Sequence, residues 1–561
     1  MTFQQWKPGL FVALILAIIT SLPQLYLSYK RGTEWNGAYA SFDTDEFAYS
    51  AYVNALINGR PRRSDPYTGN DRGQFETLFS IQFIPAYSIA IPARMLSISA
   101  STAFILLVPL ITVGSALILF LLLFEITGKP LLGAFGVLVV LCFGAFAYSA
   151  PWIFFSPRLA FPFLRRYMPG FSFPFFLAMA VFVWRSLEKD SLIWPFLAGL
   201  SLLVLIFSYF FLWTAAAVWL AVLMILWLIA RPHERVTTLK VFGVIGLMAL
   251  AGLIPYVFLL RARSPIIDQA VSLELTHFPD LIRGPEIYGA VILLGLIRQD
   301  WRQPRTLFTL SFALAPFVLF NQQVITGHSL QPFHYEQFIA NYWILIGLCL
   351  SFGDRWNISK RIISYLWIVA IGLGLSYGAL VSVSRFKTNA EVDKGRAAAL
   401  RLHGNGVVFA PNLHVINSIP TSSSNPVLWA RHSFTFSNVN LKEQKHRYYQ
   451  YLYYSSVTAD ELRLSLTEEH GNARVEIFGA DRANPVLTGN SQPITQQDVE
   501  TALDEYRLFC SGFSLTEAAE PLLSYAVVSA TENLTNLDKW YERDSGERVG
   551  DYTLFHLKLR P

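Results

Sequence analysis

The sequence predicts a polytopic α-helical membrane protein of about eleven transmembrane helices, followed by a C-terminal water-soluble α/β domain. Three observations carry that prediction. Of 561 residues 53% are hydrophobic and only 15% charged, and the mean hydropathy is +0.39, too apolar for a soluble chain of this size. Apolar runs of membrane-crossing length recur as far as residue 383 and then stop. The basic excess stops there too: residues 1–384 carry 26 Lys and Arg against 18 Asp and Glu, and residues 385–561 carry 18 against 21.

A helix that crosses a bilayer needs about 20 mainly apolar residues. Runs of this kind lie at 8–27, 101–126, 130–150, 171–186, 192–209, 211–230, 239–260, 286–297, 305–320, 337–353 and 361–383. The first, opened by Lys7, is long and lacks a small-residue cleavage site before the charged segment that follows, so it reads as an anchor. With the N-terminus in the cytoplasm, the even-numbered connections carry Lys129; Arg185 and Lys189; Arg231, Arg235 and Lys240; Arg298, Arg302 and Arg305; and Arg355, Lys360 and Arg361. Each inner loop is then short and positive, as orientation in a membrane demands. The segments 28–78, 151–170, 261–285 and 321–336 and the domain 385–561 face the other side, which in a bacterium is the outer face of the inner membrane. Basic residues so placed are explained by the bilayer, and nucleic acid is not an expected partner. Cys142 and Cys349 lie in apolar runs and Cys510 is alone in the tail, so no disulfide framework is implied.

The first outer loop spans about fifty residues, a length that signals function or disorder. Its aromatic and aliphatic pattern through Phe47, Tyr49, Ala51, Tyr52, Ala55 and Leu56 predicts a helix lying on the membrane surface. At the start of that helix stand Asp43, Asp45 and Glu46. Carboxylates there complement the helix dipole or cap it. They are equally what a general base or a divalent-cation site requires.

The run Asp45-Glu46-Phe47-Ala48-Tyr49, then Asn54 to Gly59, then Asp65-Pro66-Tyr67, resembles the first outer loop of the GT-C membrane glycosyltransferases, notably the lipid A aminoarabinose transferases and the protein O-mannosyltransferases. Those enzymes open with an acidic pair, an aromatic residue, a helix ending near Gly and a Pro-containing turn. The many-span body and outward tail agree in layout. The resemblance implies a GT-C-like transmembrane domain over 1–384 and a soluble extracytoplasmic domain over 385–561. It also implies transfer of a sugar from a polyprenyl-phosphate donor to a glycan, lipid or protein acceptor of the cell envelope. By position, Asp45 takes the role of catalytic base and Glu46 that of its orienting or metal-binding partner. Asp43, Tyr49 and Glu76 are then substrate-binding candidates, and whether a divalent cation takes part is left open.

Other constellations bear on the same chemistry. Arg158, Arg165 and Arg166 share an outer loop with Pro and aromatic residues. Headgroup contact explains them, and so does a lipid phosphate, which Arg suits geometrically. The polar stretch from Asn321 to Glu336 has no Lys or Arg, and Asn321, Gln322, His328, Gln331, His334 and Tyr335 are expected to line the site. His328 and His334 stand six apart, which is not the spacing of two ligands on one helical face, so zinc is not expected. Two matches to the glycosylation sequon, at Asn357 and Asn533, are given no role.

Beyond residue 384, helical periodicity at 391–403, 440–454 and 496–510 alternates with β-rich runs at Val407–Phe409, Val475–Phe478, Tyr525–Ser529 and Tyr552–Leu557, with a loop expected at 417–426. No catalytic constellation shows in this domain, and no Gly-rich phosphate loop occurs in the chain, which disfavours nucleotide sugars and ATP-driven pumping. The alternative to a transferase is a transporter or flippase of lipid-linked saccharides. Transporters keep loops short and place polar groups inside spans, whereas here they gather in long outer loops. A polysaccharide polymerase or ligase would place its large loop late rather than first.

Overall fold

A computed structural model describes residues 2–147, 165–264, 273–280, 283–352, 360–436, 440–467, 472–483 and 492–561. Each of the eleven apolar runs falls mainly on a helix among the described residues, the run 192–209 leaving its helix at Ile206. Among these residues seven helical stretches are long and apolar enough to cross a membrane, namely Phe3–Glu34, Ala100–Thr127, Gly170–Glu188, Phe210–Ala230, Pro232–Arg261, Pro304–Thr326 and Ser364–Ala399. Shorter apolar helices run over Pro130–Gly144, Ile193–Ile206 and Gly284–Leu296. The chain divides into two compact units: one of Met1–Tyr26, Ile105–Phe258 and Thr276–Arg385, the other of Leu27–Phe104, Leu259–Leu275 and Phe386–Pro561.

The first unit is the helical body. Its interior is aromatic: Trp219 stacks on Phe312 at 5.1 Å between centroids and donates from Nε1 to the Ser311 hydroxyl at 3.0 Å. Phe176 stacks on Trp343 at 5.7 Å. The buried Trp219 indole keeps its N–H paired in this way at no loss of apolar contact. Small residues set the closest helix approaches. A Cβ on Gly289 would lie 2.6 Å from the carbonyl oxygen of Ala313, so the helices Gly284–Leu296 and Pro304–Leu319 touch backbone to side-chain position. Leu14, Leu110, Leu247 and Ile254 point outward and are exposed. Such apolar helix surfaces are what lipid covers.

The second unit holds the first loop together with everything after Arg385. Its sheet comprises β1 (Val407–Phe409), β2 (Leu523–Ser529), β3 (Tyr541–Arg543), β4 (Glu547–Val549) and β5 (Tyr552–Leu559). β1 lies parallel to β2, and β2 pairs antiparallel with β5, with Val527 opposite Leu554. β3 and β4 both pair with β5. The expected strand at Val475–Phe478 is instead part of the helix Asn472–Phe478. Ala473, Glu476 and Ile477 are the buried positions there, a helical rather than an alternating spacing. The stretch 417–426, expected as a loop, contains the end of a helix, Leu413–Ser418, and a turn of 3-10 helix, Ile419–Thr421.

The helix Asp45–Ile57 also differs from expectation. Every residue from Glu46 to Leu56 is buried, so it is an interior helix and not one floating on a lipid surface. Its neighbours in the unit are the helix Ile84–Met95 and the segment Ile419–Thr421, and Asn54 donates from Nδ2 to the carbonyls of Pro420 and Ser423 at 3.0 and 3.1 Å. An aromatic-rich pattern without charge after Glu46 predicts burial, but it cannot say whether lipid or protein provides it.

Candidate functional site

The acidic motif sits at the entry to that interior helix. Adjacent residues on a helix project about 100° apart, so neighbours can meet different surroundings. Glu46 is fully buried, and its Oε2 accepts from the backbone N–H of Phe42 at 2.8 Å, which closes the turn before the helix. Tyr39 donates its hydroxyl to the Glu46 carbonyl at 3.0 Å. Asp43 and Asp45 remain half-buried. Glu46 is thus held by its own loop, while Asp45 is half-buried at a helix N-terminus, where a carboxylate is electrostatically favoured.

Three polar residues that the sequence did not single out hold this loop. The helix Lys360–Ala399 extends the last apolar run by several turns, and Asn389, Asp393 and Arg396 lie on one face of that extension at spacings of four and three. Asp393, with no exposed side-chain surface, accepts from Arg31 Nε at 3.0 Å and from the backbone N–H groups of Asn36 and Ala38 at 3.0 and 3.2 Å. Asn389 accepts from the N–H and hydroxyl of Ser41 at 2.9 and 2.7 Å and returns a bond to its carbonyl at 3.1 Å. Arg396 donates to the Asn36 carbonyl at 3.0 Å and to the Ser422 hydroxyl. Leu27, Ala40 and Ala390 pack beneath. The signal was present in the sequence as polar residues recurring at helical spacing just past the last span.

Further along the loop, Asp65 is buried and accepts from the N–H groups of Tyr67 and Thr68 at 2.8 and 3.1 Å and from the Thr68 hydroxyl at 2.6 Å. Burial pushes its carboxyl above the usual range against those bonds. Glu76 receives Arg62 in bidentate fashion, 2.7 Å to each oxygen, with Arg63 at 2.8 Å and Ser80 at 2.6 Å. Burial works to raise the Glu76 carboxyl, yet the bonds from Arg62 and Ser80 and the charges of Arg62 and Arg63 together hold it low. Its backbone also pairs with Ala262 and Ser264 at 2.9 and 3.3 Å. Those contacts tie the loop through Glu76. Tyr49 meets Phe79 edge-on at 5.6 Å, so the structure does bring Tyr49 beside the Glu76 segment.

The remaining candidates belong to the helical body. His334 stacks on Phe211 at 4.5 Å and shares a hydrogen bond with the Tyr209 hydroxyl at 3.1 Å. Tyr335 and Thr214 share a hydroxyl bond at 2.9 Å, and burial pushes the Tyr335 phenol up to about 12. Gln331 turns the chain at φ +22° before Pro332, an uncommon conformation for a residue with a side chain. Arg165 and Arg166 are buried, the former with its guanidinium 5.6 Å from the Phe338 ring. Arg158 lies outside the described residues. Within the polar stretch, Asn321 donates to Glu286 at 2.8 Å and Gln322 to the His328 carbonyl at 2.7 Å, bonds made inside this unit. Arg283 joins Asp280 at 2.5 Å and Glu336 at 2.9 Å.

Among the described residues no three His, Cys, Asp or Glu side chains converge to hold a metal ion. No family model and no curated protein matches the sequence. Among solved structures the chain is similar to one described as the crystal structure of ArnT from Cupriavidus metallidurans bound to undecaprenyl phosphate, with a TM-score of 0.49 and 11% identity over 97% of this chain and 98% of that one.

Proposed function

We propose that the protein is a membrane glycosyltransferase of the GT-C kind, which moves a sugar from a polyprenyl-phosphate donor to an acceptor on the outer face of a bacterial inner membrane, with the C-terminal domain on that face. The observation that carries the reading is the division of labour in the acidic pair. Glu46 is buried and bonded to Phe42, whereas Asp45 is half-buried at the helix entry, within a loop clamped by Asn389, Asp393 and Arg396. A base must be held still yet reachable.

In this reading the Asp45 carboxylate takes the proton of the acceptor hydroxyl or amine as that atom bonds to the anomeric carbon. The bond from the anomeric carbon to the phosphate oxygen breaks, and its electrons leave with polyprenyl phosphate. Glu46 acts as the orienting partner. Arg165 and Arg166 are proposed as ligands of the lipid phosphate, since buried guanidinium groups bind phosphate in bidentate fashion. Asp43, Tyr49, Gln331, His334 and Tyr335 are proposed as substrate contacts.

The test is transfer of radiolabelled sugar from a polyprenyl-phosphate donor pool in membranes, comparing wild type with Asp45→Asn at equal expression. A loss of roughly 100-fold is expected for removal of a base. Equal activity would remove Asp45 from the mechanism. Movement of label across the membrane without transfer to any acceptor would establish the transporter instead.

A further inference from the structure

The polar stretch of the helical body ends in a π-helical turn, Glu336–Ala340, which runs into the helix Asn341–Phe352. The backbone N–H of Asn341 reaches back to the Glu336 carbonyl, the bond that defines such a turn. Widened turns of this type are frequent at functional sites. The residue that follows this one is Asn341. It has no exposed surface, and among the described residues neither its Oδ1 nor its Nδ2 has a hydrogen-bond partner.

That is an unusual state. More than nine in ten buried polar groups are paired, and an amide brings two donors and an acceptor that need partners. Its neighbours on the helix face elsewhere. Tyr342 packs edge-on against Phe173 at 5.1 Å, and Trp343 stacks with Phe176 at 5.7 Å. One and two turns further on, Ile344 and Leu348 join Ile292, Leu296, Leu310 and Ala313 in an apolar cluster. In sequence Asn341 falls between that cluster's Ile344 and Glu336, which pairs with Arg283 at 2.9 Å. Ser172, the residue before Phe173, is likewise buried, and among the described residues its hydroxyl has no partner.

The chemistry of the missing partner follows from what the amide lacks. A phosphate oxygen only accepts, so it would leave Oδ1 unmet. An ammonium only donates, so it would leave Nδ2 unmet. A hydroxyl does both, and the hydrocarbon of a lipid carrier does neither. We propose that Asn341 is a sugar-recognition residue, whose amide takes a hydroxyl of the carrier-borne sugar at the end of the π-turn. This rests on the transferase reading and adds to it a residue that selects the sugar rather than one that moves a proton.

The experiment compares thermal shifts of wild type and Asn341→Leu in detergent with bare polyprenyl phosphate and with polyprenyl phosphates that carry a hexose, an N-acetylhexosamine or a pentose. Leucine has nearly the amide's shape and nothing to satisfy, so the ligand-free variant is expected to be at least as stable as wild type. The wild type should gain an added shift from at least one sugar over the bare lipid. In Asn341→Leu that increment should vanish, at roughly ten- to hundred-fold weaker binding, while the response to bare lipid stays the same. Three results overturn the proposal: a variant that keeps the sugar increment, a wild type that shows none, or a ligand-free variant markedly less stable than wild type. The last would mean that an ordered water alone satisfies the amide. Failure of the transferase reading is told apart by the Asp45→Asn transfer assay, which does not involve Asn341.

Discussion

Asp393 offers the sharpest test of how the acidic motif is held. Its carboxylate has no exposed surface and accepts three bonds, one from Arg31 and two from the backbone of Asn36 and Ala38. Asp393→Ala strands a guanidinium and two N–H groups. Breaking a buried pair by removing one partner costs about 3–5 kcal/mol. Arg31 keeps Glu34 at 2.9 Å, an exposed partner that recovers part of this, so about 3 kcal/mol is expected. Asp393→Asn retains an oxygen for the two N–H groups and loses the charge together with the acceptor of Arg31 Nε, whose guanidinium keeps Glu34, for about 1 kcal/mol. The readout is hydrogen exchange at the Asn36 and Ala38 amides. An opening penalty smaller by about 3 kcal/mol raises exchange roughly 100-fold in Asp393→Ala, and one smaller by about 1 kcal/mol raises it less than ten-fold in Asp393→Asn. Unchanged exchange in Asp393→Ala, or equal effects of the two substitutions, would refute the clamp.

Three other outcomes are expected. Glu476 is buried beneath Trp429 and Gln444, which donate to it at 3.0 and 2.7 Å, and burial pushes its carboxyl up to about 7. The folded state then holds a proton that the unfolded chain releases above pH ~4.5, so stability is full below that pH and falls by about 3 kcal/mol as pH rises through ~7. Unfolding measured from pH ~5 to ~7.5 should show this slope in wild type and not in Glu476→Gln; parallel profiles would discard the idea. Glu76→Gln loses the charge that receives Arg62 and Arg63, and protease nicking between residues 60 and 76 should rise with activity reduced through loop disorder. If nicking is unchanged while transfer collapses, Glu76 belongs to the chemistry instead. Gly289→Leu cannot fit, because even a Cβ would lie 2.6 Å from the Ala313 carbonyl oxygen, and it should lower the melting temperature by several degrees; an unchanged melting temperature would show that the helices can part at no cost.

The helices were legible because the requirement that makes them is local: a run of apolar residues must satisfy its own backbone in lipid wherever the rest of the chain goes. Hence each of the eleven runs falls mainly on a helix among the described residues, and β1, β2 and β5 fall on the β-rich runs read from sequence. What the sequence concealed was choice of partner. The pattern of Asp45–Ile57 says that apolar groups are buried and is silent on whether lipid or the segment Ile419–Thr421 covers them, some 360 residues away. Likewise Val475–Phe478 carries residues at home in a strand, and the bonds of Glu476 to Trp429 and Gln444 are among the tertiary contacts that accompany its helical form.

The candidate site follows the same division. The acidic pair could be found from residue type and place alone, but the roles within it depend on atoms that sequence does not bring together. Glu46 is the residue held back because the N–H of Phe42, four positions earlier, lies within 2.8 Å of its carboxylate. Asp45, turned about 100° away on the same helix, is left half-buried. Asp393 fixes the chain before this motif by accepting from backbone groups of Asn36 and Ala38, bonds independent of the side chains at those positions. The helix that carries it continues out of the last apolar run through Ala399, about 60 Å in all. The loop before the acidic motif is held both by its own residues and by a carboxylate 357 and 355 positions further along the chain.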